Sequence, residues 1–208
     1  MASGNLSGAA DDRDARLARA LDSLPPPAAD EGLADDHRQA AVAIVLAGVG
    51  SETSALLMVR SERAGDRWSG QVSLPGGHAE PVDADLIATA RRESHEETGL
   101  DPGIDGRLIG ALPARRARAR GAPIGMTVTP YVFTLNDRPP VAPGPEATEV
   151  FWLPLAEAAS GKIDDVHRLQ DRDVVWKHPC WRYEGRMIWG MTFRMLRELL
   201  DASDGLFR

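Results

Sequence analysis

The stretch Leu74-Pro75-Gly76-Gly77-His78-Ala79-Glu80-Pro81-Val82-Asp83-Ala84-Asp85-Leu86-Ile87-Ala88-Thr89-Ala90-Arg91-Arg92-Glu93-Ser94-His95-Glu96-Glu97-Thr98-Gly99-Leu100 decides the reading of this chain. A short apolar run, Gln71 to Leu74, leads into a Pro-Gly-Gly turn. Asp83 reads as the N-cap of a helix from Ala84 to about Thr98, and Gly99 stands where a left-handed C-terminal cap belongs. Within that helix Glu93, Glu96 and Glu97 are spaced i, i+3 and i+4, so all three carboxylates project from one face within a turn. Crowding like charges there costs about a few tenths of a kcal/mol per pair. A hard divalent cation gives the cluster a reason, because Mg²⁺ takes oxygen ligands from a few carboxylates, substrate phosphates and water. Taken alone, the run reads as a solvated helix face in which Arg92 pairs with Glu96, the commoner meaning of a charge run. The ordered combination of strand, Gly-Gly turn, acidic cap, R-E-x-x-E-E and terminal glycine favours the ion site.

Working outward, Ala40 to Ala47 is apolar throughout and reads as a strand buried on both faces. Ala55 to Arg60 is a second strand, and Ser61 to Ser69 a loop. Downstream, Leu108 to Pro113 and Met126 to Leu135 read as strands joined by an arginine-rich loop, Arg115 to Arg120. A Pro/Gly-rich loop, Pro139 to Pro145, precedes a strand over Glu149 to Leu153 and a short helix near Leu155 to Ala159. Val174 to Tyr183 reads as one arm of a hairpin. A last helix, about Met191 to Asp201, places Met195, Leu196, Leu199 and Leu200 on one face. Strands interleaved with a few helices predict a mixed-sheet α/β domain from residue 38 to residue 208. Ahead of it, the first ten residues are small and polar and expected to be disordered. Leu17, Leu21 and Leu24 mark a short helix over Asp11 to Leu24, and Pro25-Pro26-Pro27 ends it. Residues 1–37 are therefore expected to be a flexible segment with a short helix and a proline-rich linker.

The whole chain, 208 residues with 43% hydrophobic and 26% charged, is long enough for one domain with appendages and excludes collagen, coiled coil and wholly disordered classes. No apolar run approaches the roughly 18–20 residues that cross a bilayer. No basic stretch followed by an apolar core opens the chain, so no signal peptide is expected. The single cysteine, Cys180, excludes an internal disulfide and a cysteine-based zinc site, which points to the cytoplasm. A net charge of −7 argues against a nucleic-acid surface.

Residues 76–100, G-G-x14-R-E-x-x-E-E-x-G-L, resemble the signature box of the Nudix hydrolases. The resemblance implies an α/β/α sandwich with a mixed sheet and Mg²⁺- or Mn²⁺-dependent cleavage of a nucleoside diphosphate linked to another group. The general box carries a glutamate eight residues before its arginine, where this chain has Ala84, and this chain has one extra residue between Gly77 and Arg92. The longer spacing and Glu80-Pro81-Val82-Asp83 are similar to the coenzyme A pyrophosphatase branch. So are Arg60-Ser61, Gly70-Gln71-Val72 and Pro75-Gly76-Gly77 upstream, and Phe151-Trp152-Leu153-Pro154-Leu155 and Trp189-Gly190-Met191-Thr192 downstream. The middle of the upstream signature departs from the branch, reading Ala64-Gly65-Asp66-Arg67-Trp68 with one residue inserted.

By this resemblance Glu93 and Glu97 hold the metal, and Glu96 either shares a second metal or orients the attacking water. Arg92 orients a glutamate by ion pairing, Gly76 and Gly77 shape the turn beside the metal, and Arg60 belongs to the substrate signature. The general base stays open between Glu146, Glu149 and neither. Arg115 and Arg116, with Arg118 and Arg120, read either as a clamp for an extra phosphate such as the 3′-phosphate of coenzyme A or as a solvated hairpin tip. Trp68 could equally stack on a base or pack on the sheet. His78 and His95 read as surface residues, and His178 with Cys180 as too sparse for a metal. The best substrate is coenzyme A or an acyl derivative. The alternatives are another nucleotide (ADP-ribose, a dinucleotide or a nucleoside triphosphate) and a non-catalytic nucleotide sensor. A small nucleotide partner is expected, no membrane or nucleic acid, and a homodimer by resemblance alone.

Overall fold

The structure is a computed structural model that describes residues 3–25, 37–62, 69–119, 122–171 and 174–208. The expected linker after Pro25, the stretch Ala64 to Trp68, and Arg120 fall outside the described residues.

The strand β1 (Arg38–Ala47) organises the molecule. It pairs in parallel with β7 (Ala122–Leu135) along its whole length. On its other edge it pairs antiparallel with β4 (Gly76–His78) at its start and with β2 (Ser54–Arg60) at its end. Further strands, β3 (Val72–Ser73) and β8 (Ala147–Pro154) on β2, and β5 (Arg107–Ala111) and β6 (Arg115–Ala119) on β7, complete an eight-stranded mixed sheet. A second, three-stranded sheet holds β9 (Asp164–Asp171), β10 (Val174–Tyr183) and β11 (Arg186–Trp189).

The uninterrupted apolar run of β1 is explained by its two faces. Ala41, Ala43, Val45 and Ala47 enter one core with Ala90 of the helix α2 (Leu86–Thr98) and with Leu100, Phe133 and Leu135. Ala40, Ile44 and Leu46 enter the other, with Met195, Leu196 and Leu199 of α5 (Gly190–Ala202). Both faces of the sheet are thus covered by helices, which is an α/β/α sandwich. The short helices α3 (Pro102–Asp105) and α4 (Leu155–Ser160) lie in connections.

The N-terminal segment corrects the expectation. Its helix, α1, spans Ser3–Asp22, so the first ten residues are helical from Ser3 onward. Leu17 and Leu21 are buried in the α5-side core, and Leu21 lies against Gly110 of β5. Arg13 is buried too. Its guanidinium donates to the carbonyls of Leu135, at 2.9 Å, and Gly48, while its Nε donates to Asp14 Oδ1 at 2.9 Å. Amphipathic spacing announces such a helix, but the carbonyls that anchor it come from residues 35 and 122 positions away in sequence. Among the described residues no helix is long and apolar enough to cross a membrane.

Candidate active site

The box helix is capped two residues later than expected. Asp85, not Asp83, is its N-cap, accepting from the Ala88 N–H at 2.7 Å. Asp83 is instead bound by Arg92, whose Nε and Nη2 donate to its two oxygens at 2.9 and 3.0 Å, and by the Thr89 hydroxyl at 2.9 Å. Either aspartate has the chemistry of a cap, and the arginine nine residues away draws one of them off. At the other end Gly99 takes the left-handed conformation, φ 74°, and its N–H donates to the His95 carbonyl.

Arg92 is the hub of the acidic face. Beyond Asp83, its Nη1 donates to Glu93 at 3.0 Å and to Glu96 at 3.2 Å, and its Nη2 to the His78 carbonyl at 3.1 Å. The helix face is thereby fixed to the β4 turn. Glu97 lies on the sheet side of this face and is 2% exposed. Its Oε2 accepts the backbone N–H of Gly76 at 2.8 Å. Burial pushes its carboxyl up to about 8; Glu93 and Glu146 add to the rise, while the Gly76 N–H and the charge of Arg60 oppose it. Glu93 is also raised, again chiefly by burial, with Arg92 opposing and Glu96 and Glu146 reinforcing.

The glycines leave room for these groups. A Cβ on Gly76, whose φ is 155°, would lie 2.4 Å from the Ala41 carbonyl oxygen and 2.6 Å from Val42 Cα. A Cβ on Gly77 would lie 2.4 Å from Glu93 Oε1. One glycine therefore lets the turn pack on β1, and the other lets Glu93 lie over the turn.

The Pro/Gly-rich loop folds back on the end of the helix. The N–H groups of Ala142 and Gly144 donate to the carbonyls of Thr98 and Glu97 at 3.1 and 2.9 Å, and the Ser61 N–H donates to the Glu146 carbonyl at 2.9 Å. Glu146 is thereby held close enough to the box helix for its charge to raise Glu93 and Glu97. Glu149 is not: Arg186 holds it, with Nε donating at 3.0 Å and Nη2 bonded to the second oxygen. The sequence offers both residues as acids in or after one loop, and only the folded loop separates them.

The upstream signature assembles at the same place. The Arg60 N–H donates to the Gln71 carbonyl and the Gly70 N–H to the Arg60 carbonyl, each at 3.0 Å. The downstream signature opens α5, and its Thr192 hydroxyl reaches the Val72 carbonyl at 3.4 Å. Arg60, Gly76, Gly77, Arg92, Glu93, Glu96 and Glu97 are therefore neighbours. Arg115 is not among them. The expected arginine loop is strand β6, and Arg115 bonds Glu198 of α5 at 2.6 Å, on the opposite face of the sheet from α2. Arg116 and Arg118 are exposed on β6. His78 and His95 are exposed; His178 packs against Trp189, and Cys180 is buried.

The donor set fits a hard divalent ion. It offers carboxylate oxygens only, and the repulsion and burial that raise Glu93 and Glu97 are what a cation relieves. Among the described residues no three acidic, imidazole or thiol side chains converge tightly enough to enclose an ion by themselves.

Comparison with known proteins agrees with this geometry. The family model described as the NUDIX domain matches residues 36–174. A protein of Escherichia coli O1:K1, named uncharacterized Nudix hydrolase NudL, is 36% identical over 168 residues, covering 79% of this chain and 82% of that protein. The like-named protein of Cronobacter sakazakii is 36% identical over 169 residues with the same coverage. Among solved structures, the MutT protein of Methanosarcina mazei Go1 shares the fold, with a TM-score of 0.50 and 21% identity over 88% of this chain and 99% of that one. The family match runs through the Gly76-Gly77 turn and the box helix and spans most of the chain: the protein belongs to the Nudix hydrolases, enzymes that split diphosphate bonds in nucleotide derivatives.

Proposed function

We propose that this enzyme hydrolyses the diphosphate of coenzyme A, or of an acyl-coenzyme A, to 3′,5′-ADP and (acyl-)4′-phosphopantetheine in the cytoplasm, with Mg²⁺ or Mn²⁺. The observation that carries the proposal is the meeting of Arg60, Gly70 and Gln71 with the Gly76-Gly77 turn and Glu97, since these are the residues of the branch signature.

In this reading Glu93 and Glu97 hold the metal, which when bound neutralises diphosphate charge and makes water more acidic. Arg92 keeps Glu93 and Glu96 on the working face and is a positioning residue, since its donors are spent on Asp83, Glu93, Glu96 and His78. Glu96, the exposed member, orients water. Glu146 accepts the proton of the attacking water, whose oxygen bonds to one phosphorus as the bridging P–O bond breaks. Arg60 faces the substrate's phosphates. The site is preorganised, which is what phosphoryl transfer asks of a protein.

The test is product analysis by mass spectrometry with coenzyme A, acetyl-coenzyme A, NADH, ADP-ribose and nucleoside triphosphates. Release of 3′,5′-ADP and 4′-phosphopantetheine supports the proposal. Cleavage of another member alone moves the substrate while keeping the chemistry, and binding without turnover of any member points to a sensor.

A further inference from the structure

Three hydroxyls among the described residues, those of Thr53, Ser73 and Thr134, are buried and meet no hydrogen-bond partner. A buried polar group left unpaired weakens a fold, so each needs a reason. Thr53 and Thr134 are closed off from any ligand, at 0% and 2% exposed. Thr134 also shares its face of β7 with Val132 of the α5-side core, on the far side of the sheet from the box helix. Ser73 differs on both counts. It is only half-buried, and it faces the other way.

Its direction follows from two independent neighbours. Val72 and Leu74, on either side of it, both enter the α5-side core, so alternation turns Ser73 toward the side that carries α2. Ser73 also stands opposite Met58 of β2, which shares its face with Leu56 of the α2-side core. On that face the groups of the active site bracket it. Arg60, two residues beyond Met58, turns the same way, and its charge is felt at Glu97. The Arg60 N–H donates to the Gln71 carbonyl, so Ser73 is the diagonal neighbour of Arg60 across the β2–β3 ladder. Three residues further along the chain, the Gly76 N–H holds Glu97 at 2.8 Å. A serine hydroxyl turns about a single bond and can both donate and accept, which suits it to a polar ligand entering between Arg60 and the Gly76 turn.

Resting on the nucleotide-hydrolase reading of this site, though not on which nucleotide is cleaved, we infer that Ser73 is a substrate-binding residue whose hydroxyl, unpaired in the free enzyme, hydrogen-bonds the nucleotide. A group kept unmet for a ligand weakens the fold and strengthens the complex, so removing it moves the two in opposite directions.

Melting and kinetics on wild type and two variants test this, with coenzyme A and ADP-ribose as the probes. Ser73→Ala should melt no lower than wild type, while its KM for the cleaved probe rises about three- to tenfold with kcat within about twofold. Ser73→Thr, which keeps the hydroxyl and suits a strand, should hold KM within about twofold of wild type. A wild-type KM in Ser73→Ala overturns the inference whatever the melt, because a hydroxyl that serves only the fold does not move KM. An equal rise in Ser73→Ala and Ser73→Thr overturns it too, since the hydroxyl is then not what the substrate meets. Cleavage of ADP-ribose alone overturns the coenzyme A reading, and the ADP-ribose KM then decides Ser73. Binding without cleavage overturns hydrolysis, and the Kd from calorimetric titration takes the place of KM. Wild-type protein that neither cleaves nor binds either probe overturns both.

Discussion

The backbone N–H of Gly76 and the carboxylate of Glu97 are hydrogen-bonded at 2.8 Å, 21 residues apart in sequence. This bond joins the turn after β3 to the last turn of α2. The two adjacent glycines of this turn are not equivalent, because a Cβ at Gly76 would meet β1 backbone and one at Gly77 the Glu93 carboxylate.

Gly76→Ala should be a stability mutant and Gly77→Ala an activity mutant. The new Cβ at 76 meets fixed backbone of β1, and its left-handed φ is unsuited to a side chain, so about 2–3 kcal/mol of stability should be lost. The Cβ at 77 meets the end of a flexible carboxylate, so Glu93 should swing aside with the fold intact and kcat down about 10²-fold. Urea unfolding and turnover, measured on both, separate the two effects.

Acid should weaken the fold through the arginine pairs. Arg92 holds the Asp83 carboxyl far below its ordinary value, and Arg91 does the same for Asp101. Each folded-state value lies below the unfolded one, so this stability is complete above the ordinary carboxylate range, about pH 4, starts to be lost as pH falls below it and is gone only below the folded values. Urea midpoints should fall between pH 5 and pH 3. Asp83→Asn should lose about 2 kcal/mol at pH 7 and show a shallower acid slope; an unchanged slope would deny the pair this role.

Glu146 and Glu149 should separate in kinetics. Glu146→Gln, which removes a proton acceptor beside Glu93 and Glu97, should lower kcat about 10²–10³-fold. Glu149→Gln loosens a partly exposed pair with Arg186 and should cost less than about 1 kcal/mol of stability, with kcat within about twofold.

Leu17→Ala should cost about 3 kcal/mol, because the side chain is fully buried between the helix and the sheet. A change below about 0.5 kcal/mol in urea unfolding is what a solvent-exposed appendage would give.

What the sequence reveals here follows the range of each interaction. The apolar run of β1, the Gly99 cap and the i, i+3, i+4 glutamates are local patterns, and the structure carries each as read. Asp83 misled because its partner, Arg92, lies across the helix, while the cap needs only a nearby N–H. Arg115 to Arg120 reads as a loop because its four arginines give no strand period; over Arg115–Ala119 pairing with β7 overrides that. The docking of α1 was illegible since its anchors, the Gly48 and Leu135 carbonyls, carry no side-chain signal. Glu146 entered the site only through a loop whose backbone bonds to the helix end.

The central claim is that the Glu93–Glu97 face performs metal-dependent diphosphate hydrolysis. The most direct measurement is Mg²⁺-dependent turnover of the preferred nucleotide by wild-type and Glu97→Gln protein, with folding checked by thermal melting. Glutamine keeps an acceptor for the Gly76 N–H and removes the charge. A native-like melt with at least about 10²-fold less turnover is expected. A folded Glu97→Gln enzyme with wild-type, Mg²⁺-dependent turnover would contradict it.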